Sequence, residues 1–125
     1  MSCNLRLKLN IVLTSLGSFQ LTAQEVSTII REDLDCTIFL IENDGYEIER
    51  WVHGMKAKYN DISKWRYSKI AEVFTPEETA SQHRVKSYKI GTRPELEQLL
   101  ADENFSAGKG LHVSLRTPWL ALTFR

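Results

Sequence analysis

Cys36-Thr37-Ile38-Phe39-Leu40-Ile41, followed at once by Glu42-Asn43-Asp44-Gly45, is the stretch on which the fold turns. The first six residues form a continuous apolar run rich in β-branched and aromatic types, which reads as a strand covered on both faces. The run stops where Asn, Asp and Gly offer side-chain hydrogen bonds and positive φ, so a turn is expected at 42–45. A strand covered on both faces belongs to a parallel sheet, and parallel neighbours need crossover connections.

Both flanks supply them. Upstream, Leu5, Leu7, Leu9 and Ile11 alternate with polar residues before closing into Ile11-Val12-Leu13, the pattern of a strand entering a buried sheet. Ser15-Leu16-Gly17-Ser18 breaks it. Phe19, Ala23, Val26 and Ile30 then fall on one helical face, and Thr22-Ala23-Gln24-Glu25 matches a capping box, predicting a helix that ends near Glu32. Strand, helix and strand make a βαβ unit with a right-handed crossover. Downstream, short helices are expected at Tyr46 to His53, with Ile48 and Val52 on one face, and at Tyr67 to Phe74. Val85 to Ile90 alternates as a third strand. Thr92-Arg93-Pro94-Glu95 is a second capping box, opening a helix with Leu96, Leu99 and Leu100 inward, and Leu111 to Leu115 reads as a fourth strand. The expectation is an α/β fold: a mainly parallel sheet of about four strands with helices on both faces.

The chain has 125 residues, enough for a single domain over 1–125 that buries about two-thirds of its unfolded surface. Sixteen Lys and Arg balance sixteen Asp and Glu, so the basic excess of a nucleic-acid binder is missing. Cys3 and Cys36 have neither metal-ligand spacing nor disulfide density, which fits a reducing compartment. No apolar run is long enough to span a bilayer and the N-terminus lacks a secretory pattern, so no membrane partner and a cytoplasmic location are expected. His53, His83 and His112 are expected at the surface or in packing, and Trp51, Trp65 and the tyrosines in the core and beneath the turn.

Parallel α/β sheets place ligands at the carboxyl ends of their strands, which here are 15–18 and 42–45. Gly17-Ser18 precedes the helix, where backbone N–H groups and the helix dipole favour an anion such as phosphate. Asn43-Asp44-Gly45 offers carboxamide, carboxylate and carbonyl oxygens, the hard ligands that Mg²⁺ takes. Taken separately, each is also an ordinary turn.

Together they carry more. Glu42-Asn43-Asp44-Gly45-Tyr46-Glu47-Ile48-Glu49-Arg50, then His53-Gly54-Met55-Lys56-Ala57 and Tyr59-Asn60-Asp61-Ile62, with Gly17 to Glu25 upstream and 27 positions between 16 and 43, resemble the C-terminal diphosphate-binding domain of pyruvate decarboxylases, especially fungal ones. The resemblance runs over about residues 9 to 115, and 116–125 departs from it. It implies thiamine diphosphate and Mg²⁺ as cofactors, a small 2-oxo acid as substrate, and non-oxidative decarboxylation to an aldehyde and CO₂. It also implies a homo-oligomer whose site is completed by the pyrimidine-binding domain of another subunit. By position, Asn43 resembles the side-chain Mg²⁺ ligand and Gly45 the carbonyl ligand. Ser18, with the Gly17 to Phe19 backbone, resembles the diphosphate cradle, and Ile48 the residue whose backbone N–H meets the diphosphate. Glu49 resembles the active-site glutamate that assists protonation; a carboxyl group beside an apolar cofactor ring is suited to general-acid work.

The pattern also breaks. The family's first loop reads Gly-Asp-Gly-Ser where this chain has Ser15-Leu16-Gly17-Ser18, so Leu16 replaces the aspartate that binds the metal. Leucine supplies neither oxygen nor charge, and cofactor binding is expected to be weakened or lost. Glu42 stands where the first of two asparagines is usual. The family's pyrimidine-binding and middle domains have no counterpart in these residues. The expectation is a truncated or diverged copy, inactive by itself, with a non-catalytic module that docks on full-length decarboxylase subunits through Tyr59, Trp51 and Trp65 as the alternative.

Overall fold

The computed structural model describes residues 10–43, 45–79, 81, 84–107 and 110–116. Four strands form one sheet: β1 (Asn10–Ser15), β2 (Cys36–Ile41), β3 (Val85–Ile90) and β4 (Leu111–Arg116), in the order β1-β2-β4-β3, every pair parallel. The expected α/β class and strand number are thus observed, with β2 and β3 at the boundaries the sequence pattern gives. The Leu5 to Leu9 part of the first strand, Asp44, His83, Cys3 and the tail from 117 on lie outside the described residues.

Connections cover both faces. α1 (Leu16–Thr22) and α2 (Glu25–Arg31) link β1 to β2. After β2 the chain forms α3 (Glu47–His53), 3₁₀ turns at Lys58–Asn60 and Tyr67–Lys69, and α4 (Ile70–Val73). Another 3₁₀ turn at Glu77–Thr79 leads towards β3, and α5 (Arg93–Ala101) and α6 (Glu103–Ser106) link β3 to β4. Residues 16–30 and 67–71 pack on one face: Leu16, Phe19, Ala23, Val26, Ile30, Tyr67, Ile70 and Ala71 bury against Ile38, Leu40, Leu111 and Val113. On the opposite face Phe105 of α6 makes edge contacts with Phe39, Tyr88 and His112, and His112 stacks on Tyr88. Alternation along β2 therefore sends Ile38 and Leu40 one way and Phe39 the other.

Several local expectations change. The helix after β1 begins at once, at Leu16, and is broken at Ala23 and Gln24 into α1 and α2. Thr22 is the last residue of α1 and caps nothing, because Gln24 is the N-cap of α2. Phe19, Ala23, Val26 and Ile30 stay buried across the elbow, so the apolar period survives a break it cannot reveal. The second capping box is real: the Thr92 side chain accepts from the Glu95 N–H, and the Glu95 carboxylate accepts from Thr92 N–H. No residue of α5 is fully buried, and Leu100 is half exposed. Among the described residues β1 is the outermost strand on its side, with Ile11, Val12 and Leu13 at 58%, 43% and 68% exposure, where its apolar sequence predicts burial.

Candidate functional site

The parallel register sets Ser15 opposite Ile41, so the β1–α1 junction and the 42–45 turn leave the sheet side by side. Ser15 is the N-cap of α1 without a side-chain cap bond; its hydroxyl donates instead to Ser18 Oγ at 3.3 Å. The N–H groups of the first turn, which includes Gly17 and Ser18, lack an intrahelical partner by geometry. Ser18 is exposed, whereas Gly17 is buried under Tyr46, whose ring would lie 2.9 Å from a Cβ at position 17. The Tyr46 hydroxyl donates to Gly17 O at 3.4 Å, pinning the two loops together. Phe19 faces the core, so only its backbone is available to a ligand.

The second loop is clamped from behind. Gly45 has φ +122°, and a Cβ there would overlap the Asn60 carbonyl oxygen. That oxygen accepts the Tyr46 N–H at 3.0 Å, so the Lys58–Asn60 turn holds the Gly45–Tyr46 peptide in place. Asn60 is 1% exposed. Arg50 of α3 donates to Asp61 Oδ1 at 2.6 Å, tying the helix to the same turn. Within this frame, Asn43 Oδ1 is buried and accepts no hydrogen bond. Asn43 and Gly45, paired in the sequence by turn chemistry, thus flank one tight loop at the sheet's carboxyl end.

Leu16 is the first residue of α1. It is 4% exposed and belongs to the main core. With Glu42, Ile62, Trp65 and Tyr67 it lines a cavity of about 30 Å³. Gln20 Nε2 donates to Ser63 O at 2.5 Å and to Tyr67 Oη at 2.6 Å beside it. Burial pushes the Tyr67 phenol up, the Gln20 hydrogen bond pulls it down, and the Glu42 carboxylate adds to the rise. The Glu42 charge therefore acts towards Leu16 and Tyr67, as the alternation of neighbouring residues at a strand end requires.

α3 carries the remaining candidates. Ile48 is 79% exposed, and Glu49 is half exposed and pairs with His53 at 3.3 Å. Trp51, Val52, Met55 and Tyr59 are also exposed, and Trp65 partly so, which corrects the expectation that the tryptophans fill the core; Tyr67 does fill it. His112 is a packing residue. Burial raises the Cys36 thiol, which makes it a poor nucleophile. A larger groove of about 630 Å³ opens between the α1–α2 elbow and α4, lined by Ala23, Trp65, Ile70 and Phe74. It is mostly apolar and away from Asn43, so the convergent polar groups lie elsewhere. Sequence reasoning singled out neither Tyr46 nor Asn60 as site residues, although both lie in the quoted motif.

The donor set discriminates between ligands. A Mg²⁺ ion sits about 2.0–2.1 Å from its oxygens, nearer than any hydrogen-bond donor, so a buried oxygen that no N–H or O–H reaches fits a small hard cation. Asn43 Oδ1 meets that condition, with Gly45 two positions further along the chain; Leu16 offers nothing to a metal. Among the described residues, no cluster of three or more His, Cys, Asp or Glu could hold a metal, and no helix is long and apolar enough to cross a membrane.

Comparison with known proteins gives the family of the chain. The family described as thiamine pyrophosphate enzyme, C-terminal TPP binding domain, matches residues 7–111. A pyruvate decarboxylase of Aspergillus parasiticus is 44% identical over 97 residues, 78% of this chain and 17% of that protein. One of Aspergillus terreus is 42% identical over 91 residues, covering 73% and 15%. Pyruvate decarboxylase isozyme 1 of Saccharomyces cerevisiae is 37% identical over 90 residues, covering 72% and 15%. The chain thus spans about a sixth of the length of these curated relatives.

Proposed function

The chain belongs to the thiamine pyrophosphate enzymes through their C-terminal TPP-binding domain, and from that premise we propose that it is the diphosphate-side module of a pyruvate decarboxylase-like protein. The observation that carries the proposal is the buried Asn43 Oδ1, which has no hydrogen-bond partner among the described residues, an oxygen suited to Mg²⁺. In this reading Asn43 and Gly45 hold the metal. Ser18, with the Gly17 to Phe19 backbone, cradles the diphosphate, and the Ile48 N–H meets it from α3. Glu49 is the proton-handling carboxylate, with His53 3.3 Å away one turn along α3. When bound, thiamine diphosphate would supply a nucleophilic carbanion that adds to the carbonyl carbon of a small 2-oxo acid and an electron sink for the pair left as CO₂ departs. A small 2-oxo acid substrate, oligomeric assembly with pyrimidine-domain subunits and a cytoplasmic setting are part of the proposal.

Leu16 limits what these 125 residues do alone. A buried leucine where the family carries a metal-binding aspartate leaves one protein side chain, Asn43, to hold Mg²⁺. We therefore assign the isolated chain weakened cofactor binding and no decarboxylase activity of its own. The exposed Trp51, Val52, Met55 and Tyr59 support a second reading, a non-catalytic module that docks on full-length decarboxylase subunits. Calorimetric titration with thiamine diphosphate and Mg²⁺ tests the first reading. Saturable, Mg²⁺-dependent heat supports a retained site, and heat that needs ligand beyond the millimolar range counts against it. Failure to co-purify with a full-length decarboxylase counts against the second.

A further inference from the structure

The groove of about 630 Å³ between the α1–α2 elbow and α4 has a chemistry of its own. Ala23 and Ile70 are buried, and Trp65 and Phe74 add aromatic surface, so its lining is mainly apolar. Its shape is fixed at the α1 end, where Gln20 Nε2 donates to Ser63 O and Tyr67 Oη and so ties α1 to the segment that enters α4. A volume within about 300–1,000 Å³, an apolar lining and a frame already tied by hydrogen bonds are the marks of a preformed small-molecule site. The charges at its rim then select among ligands. Three charged side chains line the groove: Arg66, Lys69 and Glu72. Lys69 Nζ pairs with Glu72 Oε2 at 2.6 Å, so these two cancel. Arg66 is exposed and has no ion-pair partner among the described residues, which leaves one unbalanced positive charge on the groove. A guanidinium is planar, and its paired N–H donors match a carboxylate.

We propose that this groove binds a small amphipathic monocarboxylate, with its hydrocarbon body on Ala23, Ile70, Trp65 and Phe74 and its carboxylate on the Arg66 guanidinium. Each half of such a ligand answers one half of the site. The apolar body removes the groove lining from water, and the carboxylate gives Arg66 a charge-assisted partner at the rim, where neither group has to be buried. A neutral ligand of the same body forgoes that bond, and a cationic one is repelled by Arg66. A small inorganic anion gains nothing from the apolar walls. The site is separate from the proposed metal loop, because neither Asn43 nor Gly45 lines the groove.

Calorimetric titration of the full chain with octanoate, 1-octanol and octylammonium is the test, because the three share one hydrocarbon body and differ in the head group. The expected result is saturable one-to-one heat with octanoate, at a dissociation constant of about 1 mM or tighter, and binding at least about tenfold weaker for the other two. Arg66→Gln removes the charge from an exposed position and should weaken octanoate at least about fivefold, towards the affinity of 1-octanol for the parent. Lys86→Gln, at an exposed position of β3 that does not line the groove, serves as the control and should change nothing. Thermal melts check that both variants fold like the parent. Amide chemical shifts moved by octanoate should centre on residues 20–24 and 65–74. No saturable heat up to about 10 mM octanoate, 1-octanol or octylammonium binding as tightly, an affinity indifferent to Arg66→Gln or lost equally with Lys86→Gln, or shifts centred elsewhere would each overturn the proposal.

Discussion

Replacing Leu16 with aspartate separates the two roles of position 16, core residue and metal ligand. In the structure Leu16 is 4% exposed, and the cavity it shares with Glu42 holds about 30 Å³. Losing a leucine side chain so buried costs about 3 kcal/mol. A carboxylate there has little room for a water shell and faces the Glu42 charge, adding about 1–3 kcal/mol. The total, about 4–6 kcal/mol, is a large part of a domain's usual 5–15 kcal/mol and should lower Tm by roughly 16–24 °C. The penalty grows with pH, because burial disfavours the ionised form, and is least below about pH 3.9, where the unfolded chain also holds the proton. If the two loops form a Mg²⁺–diphosphate site, the same carboxylate becomes a ligand. Thiamine diphosphate and Mg²⁺ at about 100 times Kd then return about 2.7 kcal/mol, or roughly 11 °C. Leu16→Ala suffers the core loss, about 12 °C, without a matching gain from Mg²⁺. Differential scanning fluorimetry with and without Mg²⁺ and cofactor reads all three chains. An aspartate variant as stable as the parent without ligand would refute the burial of Leu16, and a destabilised one that gains nothing from Mg²⁺ would refute the assignment of the loop.

Two further perturbations probe the frame. Gly45→Ala forces a Cβ into the Asn60 carbonyl at φ +122° and strains the Tyr46 N–H bond to the same oxygen, so it should cost about 2–4 kcal/mol in urea unfolding. A loss below about 1 kcal/mol would mean that the 58–60 turn does not clamp the loop. Glu95 accepts the N–H groups of Gly91 and Thr92 at 2.7 and 3.1 Å, and these bonds hold its carboxyl below the ordinary value. A depressed folded pKa stabilises above the unfolded pKa and is lost as pH falls through the folded one, so the start of α5 should loosen in acid. Glu95→Gln should flatten that acid sensitivity in amide exchange of residues 91–96; unchanged sensitivity would assign it to another group.

How far the residues announce this arrangement depends on what sets each feature. Local chemistry fixes β2 and the Thr92 cap, so the apolar run at 36–41 and the Thr-x-x-Glu pattern suffice. The elbow at Ala23 is silent because both helices bury the same face. The exposure of Ile11 and Leu13 is a matter of topology: their sequence suits a central strand, and in the order β1-β2-β4-β3 of the described strands β1 has a neighbour on one side. At the candidate site, Asn43 and Gly45 stand out in the sequence by their turn chemistry and the family pattern, and their role is a proposal. The Asn60 carbonyl behind Gly45 and the Tyr46 ring over Gly17 are not, because each contact joins residues 15 to 29 positions apart with no periodic signal.

Those two contacts bear on what the loss of an aspartate at position 16 does to the site. If the metal held the loops, a leucine there would free both. Instead Tyr46 joins them: its ring and hydroxyl meet Gly17, while its N–H meets the Asn60 carbonyl. Arg50, through Asp61, braces the same turn from α3. None of these contacts uses a metal ion, so the frame around Asn43 and Gly45 is built from protein groups alone. Leu16 meanwhile adds its side chain to the core beneath. Under the proposed function, the substitution therefore exchanges a ligand for burial and leaves the rest of the cradle in place. The deficit should then lie in affinity for Mg²⁺, with little reorganisation of the loops on binding, and the amide chemical shifts of residues 58–61 should move little when thiamine diphosphate and Mg²⁺ are added. Large shifts there would mean that the cofactor remakes a frame which, by these contacts, is already built.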